Sequence, residues 1–367
     1  MHSKTATLTH ARVDAAVCQA PGLFRSLAPG ERNGKLDVSY QYNKHTHVRF
    51  IGPQALGVTD MRVLQALVAS AAVSGHDVYL PATPVSESGR ALRGGLNSEL
   101  ATREPGLEAA EFDLDNAAVA ETTYSRLATE IGYKNKRDKT SIRDSIRRLS
   151  GVTIFITVSG KTTGSRLLSS DEKIAVSDSI SVAINPRMAA AIFGLKGSHP
   201  LRINLAEARA LKTDAARLIH QRLSWINEKD RRQIGMQSLC EYVWPKIESD
   251  DELERRKGVQ ARKYISRRVN LIKATRDSDV TISANARAAL EALDAAFEAR
   301  ITDPKLAARL DAARESDTRR NQCSIVKKAL QELIAIRWRV EFDGKNFWIT
   351  RPQVPRTVEL VHEELAA

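Results

Sequence analysis

Arg143 and Arg147, one helical turn apart, and Arg319 with Asn321 are the side chains of this sequence best suited to a specific recognition task. A guanidinium presents two parallel donors to the edge of a guanine, and an asparagine amide pairs in the same two-point way with adenine. Arg148, Lys327, Lys328 and Lys161 are candidates for the accompanying contacts to phosphate, which carry affinity rather than sequence information. Lys139, Ser141, Arg320 and Lys345 complete the candidate DNA-binding set.

Catalytic readings of the chain are weaker. No G-x-x-x-x-G-K-[ST] loop is present, and Gly160-Lys161-Thr162 lacks the preceding glycine and the following helix. His45-Thr-His47 superficially resembles the metal pair of a nickase, but Thr46 breaks the apolar spacing and the pair falls in an expected hairpin turn. Tyr124 and Tyr264 are the helical tyrosines near basic residues that a nicking or recombining enzyme would need. No Ser-His-Asp arrangement stands out, and His220 sits at the edge of a helix stripe as a core or boundary histidine. Cys18, Cys240 and Cys323 are too far apart for a zinc site or a disulfide framework. The expectation is a binding protein without catalytic site, metal or cofactor.

The candidate residues need elements to hold them. Tyr124, Leu127, Ala128 and Ile131 make the apolar stripe of a short helix that Gly132 stops, and a basic turn follows over 133–138. From Thr140 to Ser150 a second helix buries Ile142, Ile146 and Leu149 and leaves arginines on its other faces. The β-branched run Val152–Val158, a turn over Ser159–Gly164 and a strand over Ser165–Leu168 then form a hairpin, with Ser179–Ile184 as a further strand. Two short helices, the second basic, followed by a hairpin is the order of a winged helix, a helix-turn-helix variant. The order returns with helices at Leu205–Leu211, Thr213–Ile226 and Gln237–Val243. A basic helix at Thr318–Ile336 follows, with a stripe of Cys323, Val326, Leu330, Leu333 and Ile334. A hairpin around Asp343-Gly344 closes the unit.

The rest of the chain frames these units. A further hairpin is expected from Leu36–Tyr42 and His47–Ile51, then a helix capped by Thr59 that runs to about Ala72. Ala20–Leu27 reads as one helical turn, and 81–120 as a mobile loop with partial helix. Residues 284–300 and 304–314 are two Ala-rich helices within an insertion at about 246–316. The expected fold is α+β, mainly helical: an N-terminal segment 1–35, winged-helix domain 1 at 36–200, winged-helix domain 2 at 201–352 with the insertion, and a tail at 353–367. The 367 residues carry a net charge of +12, a field that attracts polyanions, and 42% hydrophobic residues, enough for real cores. No apolar run approaches the ~18–20 residues of a membrane span, and the polar N-terminus does not read as a signal peptide, so a cytoplasmic protein is expected.

Several ordered motifs resemble the RepC replication protein family, iteron-binding initiators of IncQ-type plasmids. They are His10-Ala-Arg-Val-Asp14, Cys18-Gln-Ala-Pro-Gly-Leu-Phe-Arg-Ser-Leu27, Lys35-Leu-Asp-Val-Ser-Tyr40, Leu64-Gln-Ala-Leu-Val-Ala69, Val182-Ala-Ile-Asn-Pro186, Ala216-Arg-Leu-Ile-His-Gln-Arg-Leu223 and Leu239-Cys-Glu-Tyr-Val-Trp-Pro245. Ala329-Leu-Gln-Glu-Leu333 and Ile349-Thr-Arg-Pro352 extend the likeness to nearly the whole chain except about 84–120 and 246–316. The resemblance implies binding to directly repeated double-stranded sites in a plasmid origin, opening of an adjacent A·T-rich region, and recruitment of the plasmid helicase and primase. The insertion departs from the family pattern and leaves two candidates for the second recognition helix, 254–273 and 318–336. The second is favoured because a hairpin follows it directly.

Three rival readings stand beside this one: a winged-helix repressor or partition regulator bound to one palindrome, an origin nickase or recombinase, and a basic scaffold that binds acidic proteins. Self-association stays open beside a monomeric binding form.

Overall fold

The computed structural model describes residues 8–27, 31–73, 79–97, 111–112, 115–133, 139–171, 178–245, 264–276, 280–302 and 304–353. They fall into a larger unit, Met1–Lys246 with Val326–Ala367, and a smaller one, Ile247–Ile325. The class is α+β, as composition and periodicity suggested.

In the larger unit, strand β1 (His10–Asp14) leads into the short helix α1 (Ala15–Gln19), which Asp14 caps by accepting from the Ala16 amide. The single helical turn thus lies just before Ala20–Leu27, where the sequence suggested it. Strands β2 (Leu36–Asn43) and β3 (Thr46–Gly52) form the expected hairpin, burying Leu36, Val38, Val48 and Phe50 on one face. Helix α2 (Val58–Val73) starts one residue before Thr59 and is buried almost all round. Its polar residues therefore need partners inside the core. Gln65 donates to Gln221 at 2.7 Å, Ser70 donates to the Ala66 carbonyl, and Arg62 lies over the Tyr133 ring.

After β4 (Tyr79–Leu80), the segment 81–120, read as a loop with partial helix, contains helix α3 (Glu87–Leu96), β5 (Glu111–Phe112) and the start of β6 (Ala117–Thr123). Three glycines depress the helix propensity of α3. It forms because Ser86 caps it and because Leu92 and Leu96 bury against Leu80, Ala117 and Ala183. A Cβ at Gly95 would collide with Ser169, so the close approach to the neighbouring sheet requires glycine there. Residues 98–110 lie outside the described residues.

Helices α4 (Tyr124–Glu130) and α5 (Lys139–Ser150) follow as the sequence indicated, with Gly132 at φ 75° ending the first; the basic stretch 134–138 between them lies outside the described residues. Next come β7 (Thr153–Val158), β8 (Lys161–Arg166), β9 (Leu168–Asp171), β10 (Ser179–Ile184), α6 (Pro186–Phe193) and β11 (Pro200–Asn204). The β7–β8 turn is only Ser159-Gly160, at φ 51° and 85°, the left-handed pair of a two-residue hairpin, so strand begins at Lys161 rather than at the expected Ser165. One sheet has the order β2-β3-β7-β8-β5, another β4-β6-β10-β9, and β1 pairs with β11. That last pairing ties the N-terminal segment to the entrance of the second half.

The second half has α7 (Leu205–Ala210), α8 (Asp214–Leu223), β12 (Arg231–Gly235) and α9 (Met236–Val243). In the smaller unit, α10 (264–274) and α11 (Val280–Thr302) are linked by Asp294, which accepts from Tyr264 and Arg268. Helix α12 (Pro304–Ala335) enters the larger unit at Val326, and β13 (Arg339–Phe342) and β14 (Asn346–Thr350) close the fold in a sheet ordered β12-β14-β13. The two helices expected at 304–314 and 318–336 are one: Glu315-Ser-Asp317 contains neither proline nor glycine, and continuing a helix costs far less than nucleating a new one. Among the described residues, no helix is long and apolar enough to cross a membrane.

Candidate nucleic-acid interface

Two surfaces combine a basic helix with the hairpin that follows it. On the first, α5 buries Ile142, Ser145, Ile146 and Leu149 and exposes Arg143 and Arg147. The Arg143 guanidinium lies 5.1 Å from the ring centre of buried Tyr124, which ties it to the first residue of α4. Lys139 forms a 2.6 Å ion pair with Asp178. Partial burial works against the charged form of Asp178, but hydrogen bonds from Lys139 and Ser125 outweigh it and hold the carboxyl below its usual range. Lys139 therefore positions the start of α5 as well as contributing charge. Ser141 is half-buried on the same turn, and Lys161 is exposed directly after the Ser159-Gly160 turn.

Arg148 does not face outward with its neighbours. Its Nε and Nη2 stand 3.0 and 2.8 Å from Oδ1 of Asp60, whose side chain is fully buried. Asp60 also accepts from Ser145, Arg32 and the Gly57 amide. Arg148, expected at phosphate, is bonded instead to a core carboxylate and fastens α5 to α2, because position 148 lies between the buried stripe and the solvent face.

On the second surface, Val326, Ala329, Leu330 and Leu333 are the buried stripe of α12, and Lys327, Lys328 and Gln331 are exposed. Ile334, expected in the stripe, is 41% exposed; 100° steps carry it past the edge of the buried face, and Ala329 takes the inward position. Glu332 accepts from the backbone amides of Lys212 and Thr213, fixing α12 to the start of α8. Beyond the helix, Trp338 is buried and its indole donates to Glu207, which also meets His220 at 2.9 Å and accepts from Asn204. Burial opposes the charge of Glu207, but the bonds from His220 and Trp338 prevail and keep its carboxyl below the usual range. His220 is thus a core histidine. The hairpin tip is held by Asp343, whose carboxylate accepts from the amides of Asn346 and Lys345 and from the Trp348 indole; these bonds lower its pKa and leave Lys345 exposed after Gly344 at φ 92°.

Arg319, Arg320 and Asn321 are exposed on the part of α12 that belongs to the smaller unit, with Arg319 and Arg320 each 3.7 Å from Glu315 and Asp317 respectively. Arg143, Arg147 and Lys161 are thus exposed on α5 and the hairpin that follows it in the chain, and Lys327, Lys328 and Lys345 on α12 and the hairpin that follows it. Most of the alternative recognition segment, 254–263, lies outside the described residues. Sequence reasoning missed Arg231, Arg232 and Arg339 on the β12-β14-β13 sheet. Arg231 stacks 4.5 Å from the Trp348 ring centre and Arg232 lies over Trp225. The signal that could have found Arg231 is alternation, since Arg231 and Gln233 point opposite to the buried Ile234; Arg232 falls on the same side as Ile234.

Of the residues that a nickase reading would use, Tyr124 is 5% exposed, Tyr264 is bonded to Asp294, and His47 meets Ser39 across the hairpin. Among the described residues, no group of three or more His, Cys, Asp or Glu could hold a metal ion.

The class defined so far is a basic α+β protein in which two basic helices are each followed in the chain by a β-hairpin. The chain matches the family model of Replication protein C (RepC) over residues 5–274 and belongs to that family, the replication initiators of plasmid DNA. A comparison with curated proteins returns no match. Among solved structures, the crystal structure of SeMet derivatives of domain 2 and domain 3 of RctB is similar, at 11% identity and a TM-score of 0.37, covering 67% of this chain and 84% of that one.

Proposed function

We propose that this RepC-family protein initiates plasmid replication by binding directly repeated duplex sites in the origin through two winged-helix domains. The domains are read as 36–200 and 201–352, with 246–316 inserted in the second between α9 and the recognition helix. Bound there, it distorts the neighbouring A·T-rich duplex and brings in the plasmid helicase and primase; it acts in the cytoplasm by deformation and recruitment, without covalent chemistry.

One observation carries this reading. Each basic helix runs directly into a β-hairpin whose turn glycine is followed by an exposed lysine, Gly160-Lys161 after α5 and Gly344-Lys345 after α12. Such a helix fits a major groove while the hairpin turn reaches the flanking backbone. In the second half, α8, β12, α9, α12 and the β13–β14 hairpin follow one another once the intervening α10 and α11 are set aside, and this order, with the sheet ordered β12-β14-β13, supports the same reading.

Footprinting on the origin of the encoding plasmid tests it, with strand cleavage read on the same gel. Regularly spaced protected direct repeats with uncut strands and distortion beside them are expected. One protected palindrome would indicate a repressor instead, and a site-specific nick would mean an enzyme.

A further inference from the structure

Two cations near the second hairpin hold a backbone conformation that L-residues avoid. Arg337, just after α12, has φ 74°, and Lys229, just before β12, has φ 67°. Arg337 occupies the left-handed position of a helix-ending motif: the Trp338 amide bonds the Leu333 carbonyl and its own amide bonds that of Ile334. Glycine is the residue of least strain at that position. Here it is an exposed arginine.

Both positions lead to the same end of the sheet. Arg231 and Arg339 pair with Thr350 from either side, at the end of the sheet away from the Asp343-Gly344 turn. They share a face, since Arg231 lies over Trp348 and both arginines approach Glu341, at 2.6 and 3.7 Å. Lys229 and Arg337 each stand two residues before one of these arginines. Against the four cations, the acids here are Glu228, Asp230 and Glu341, and Asp230 already engages Arg232 and Asn227.

We propose that this end of the β12-β14-β13 sheet, centred on Arg337 with Arg339, Arg231 and Lys229, is a second docking surface for the sugar-phosphate backbone of duplex DNA, distinct from the α12 face and from Lys345 at the hairpin tip. It rests on the reading of the protein as a duplex-binding initiator and adds a contact which that reading does not need. A cation that stands where glycine would relieve strain is explained by what its charge meets. A helix C-terminus also favours a cation, and the experiment separates the two roles.

The full-length protein and its Arg337→Gly variant are titrated against a duplex carrying one origin repeat and against an unrelated duplex of equal length, over a range of salt. Thermal unfolding is measured alongside. Arg337→Gly is expected to keep or raise the Tm while weakening both duplexes by a similar factor, about five- to tenfold at low salt, and lowering the slope of log K against log salt by about one. Arg337→Lys should restore most of the slope. An unchanged slope and affinity, with wild-type binding intact, would make Arg337 a helix terminator only and overturn the proposal. A loss confined to the origin repeat would make it a base contact and overturn it as well. A wild-type protein that binds neither duplex would overturn the initiator reading itself, and this surface with it.

Discussion

Arg148 is folded back onto Asp60, Nη2 to Oδ1 at 2.8 Å, with the carboxylate fully buried and the guanidinium side chain 14% exposed. Removing Arg148 leaves the buried carboxylate with Arg32 as a remaining cation but takes away its two closest guanidinium bonds, and breaking a buried pair from one side typically costs about 3 kcal/mol. Arg148→Ala should therefore lower the unfolding free energy by roughly that amount in urea titration, while the salt slope of DNA binding by the folded fraction stays the same. A drop in slope with unchanged stability would return Arg148 to the phosphate-contacting set.

Lys327 and Lys328 are both exposed beside the buried Val326 and Ala329. Surface substitutions of this kind move stability by no more than about 0.5 kcal/mol. Lys327→Ala with Lys328→Ala should leave urea unfolding intact and reduce the salt slope of origin binding by about two. The same slope in variant and wild type would mean that this face of α12 does not meet phosphate.

Those two predictions also mark what a linear sequence can and cannot reveal. The α4, α5 and β7 pattern was legible because Ile142, Ile146 and Leu149 recur at helical spacing and a β-branched run follows. Arg148 was not, because its partner lies 88 positions away and periodicity does not report tertiary pairing. Helix α3 was hidden by its own glycines, and β6 by an alanine-rich composition that reads as helix; both owe their form to packing with residues remote in the chain. The family resemblance indicated the protein's role but not the cations of the β12-β14-β13 sheet, whose placement depends on cross-strand register.

Glu207 links α7, α8 and the start of β13 through His220 and Trp338. Its folded pKa lies below the unfolded value, so its contribution is fully present above the unfolded pKa, near 4.5, and is lost as pH falls through the lower folded value. Glu207→Gln should be less stable than wild type at neutral pH, with the gap closing as both are taken below about pH 4. Chemical denaturation at pH 7, 5 and 3.5 checks this. A gap independent of pH would assign the loss to hydrogen-bond geometry rather than to charge.

Gln65 on α2 and Gln221 on α8 meet at 2.7 Å inside one continuous core, and the two halves of the larger unit are joined again where Arg222 donates to the Gln19 carbonyl and Ser26 to that of Val243. Halves joined by a flexible tether could follow a change in the spacing of their targets, because a tether preserves effective concentration over many geometries. Halves sharing a core cannot. If both helix–hairpin surfaces engage one repeat, five base pairs inserted at its centre rotate the two parts by half a helical turn, and gel-shift affinity should fall by about 100-fold or more. Ten inserted base pairs restore the rotation but not the distance, so they should not rescue binding. Tolerance of either insertion to within about threefold would mean that a single surface carries specific recognition, and the buried glutamine pair would then serve stability alone.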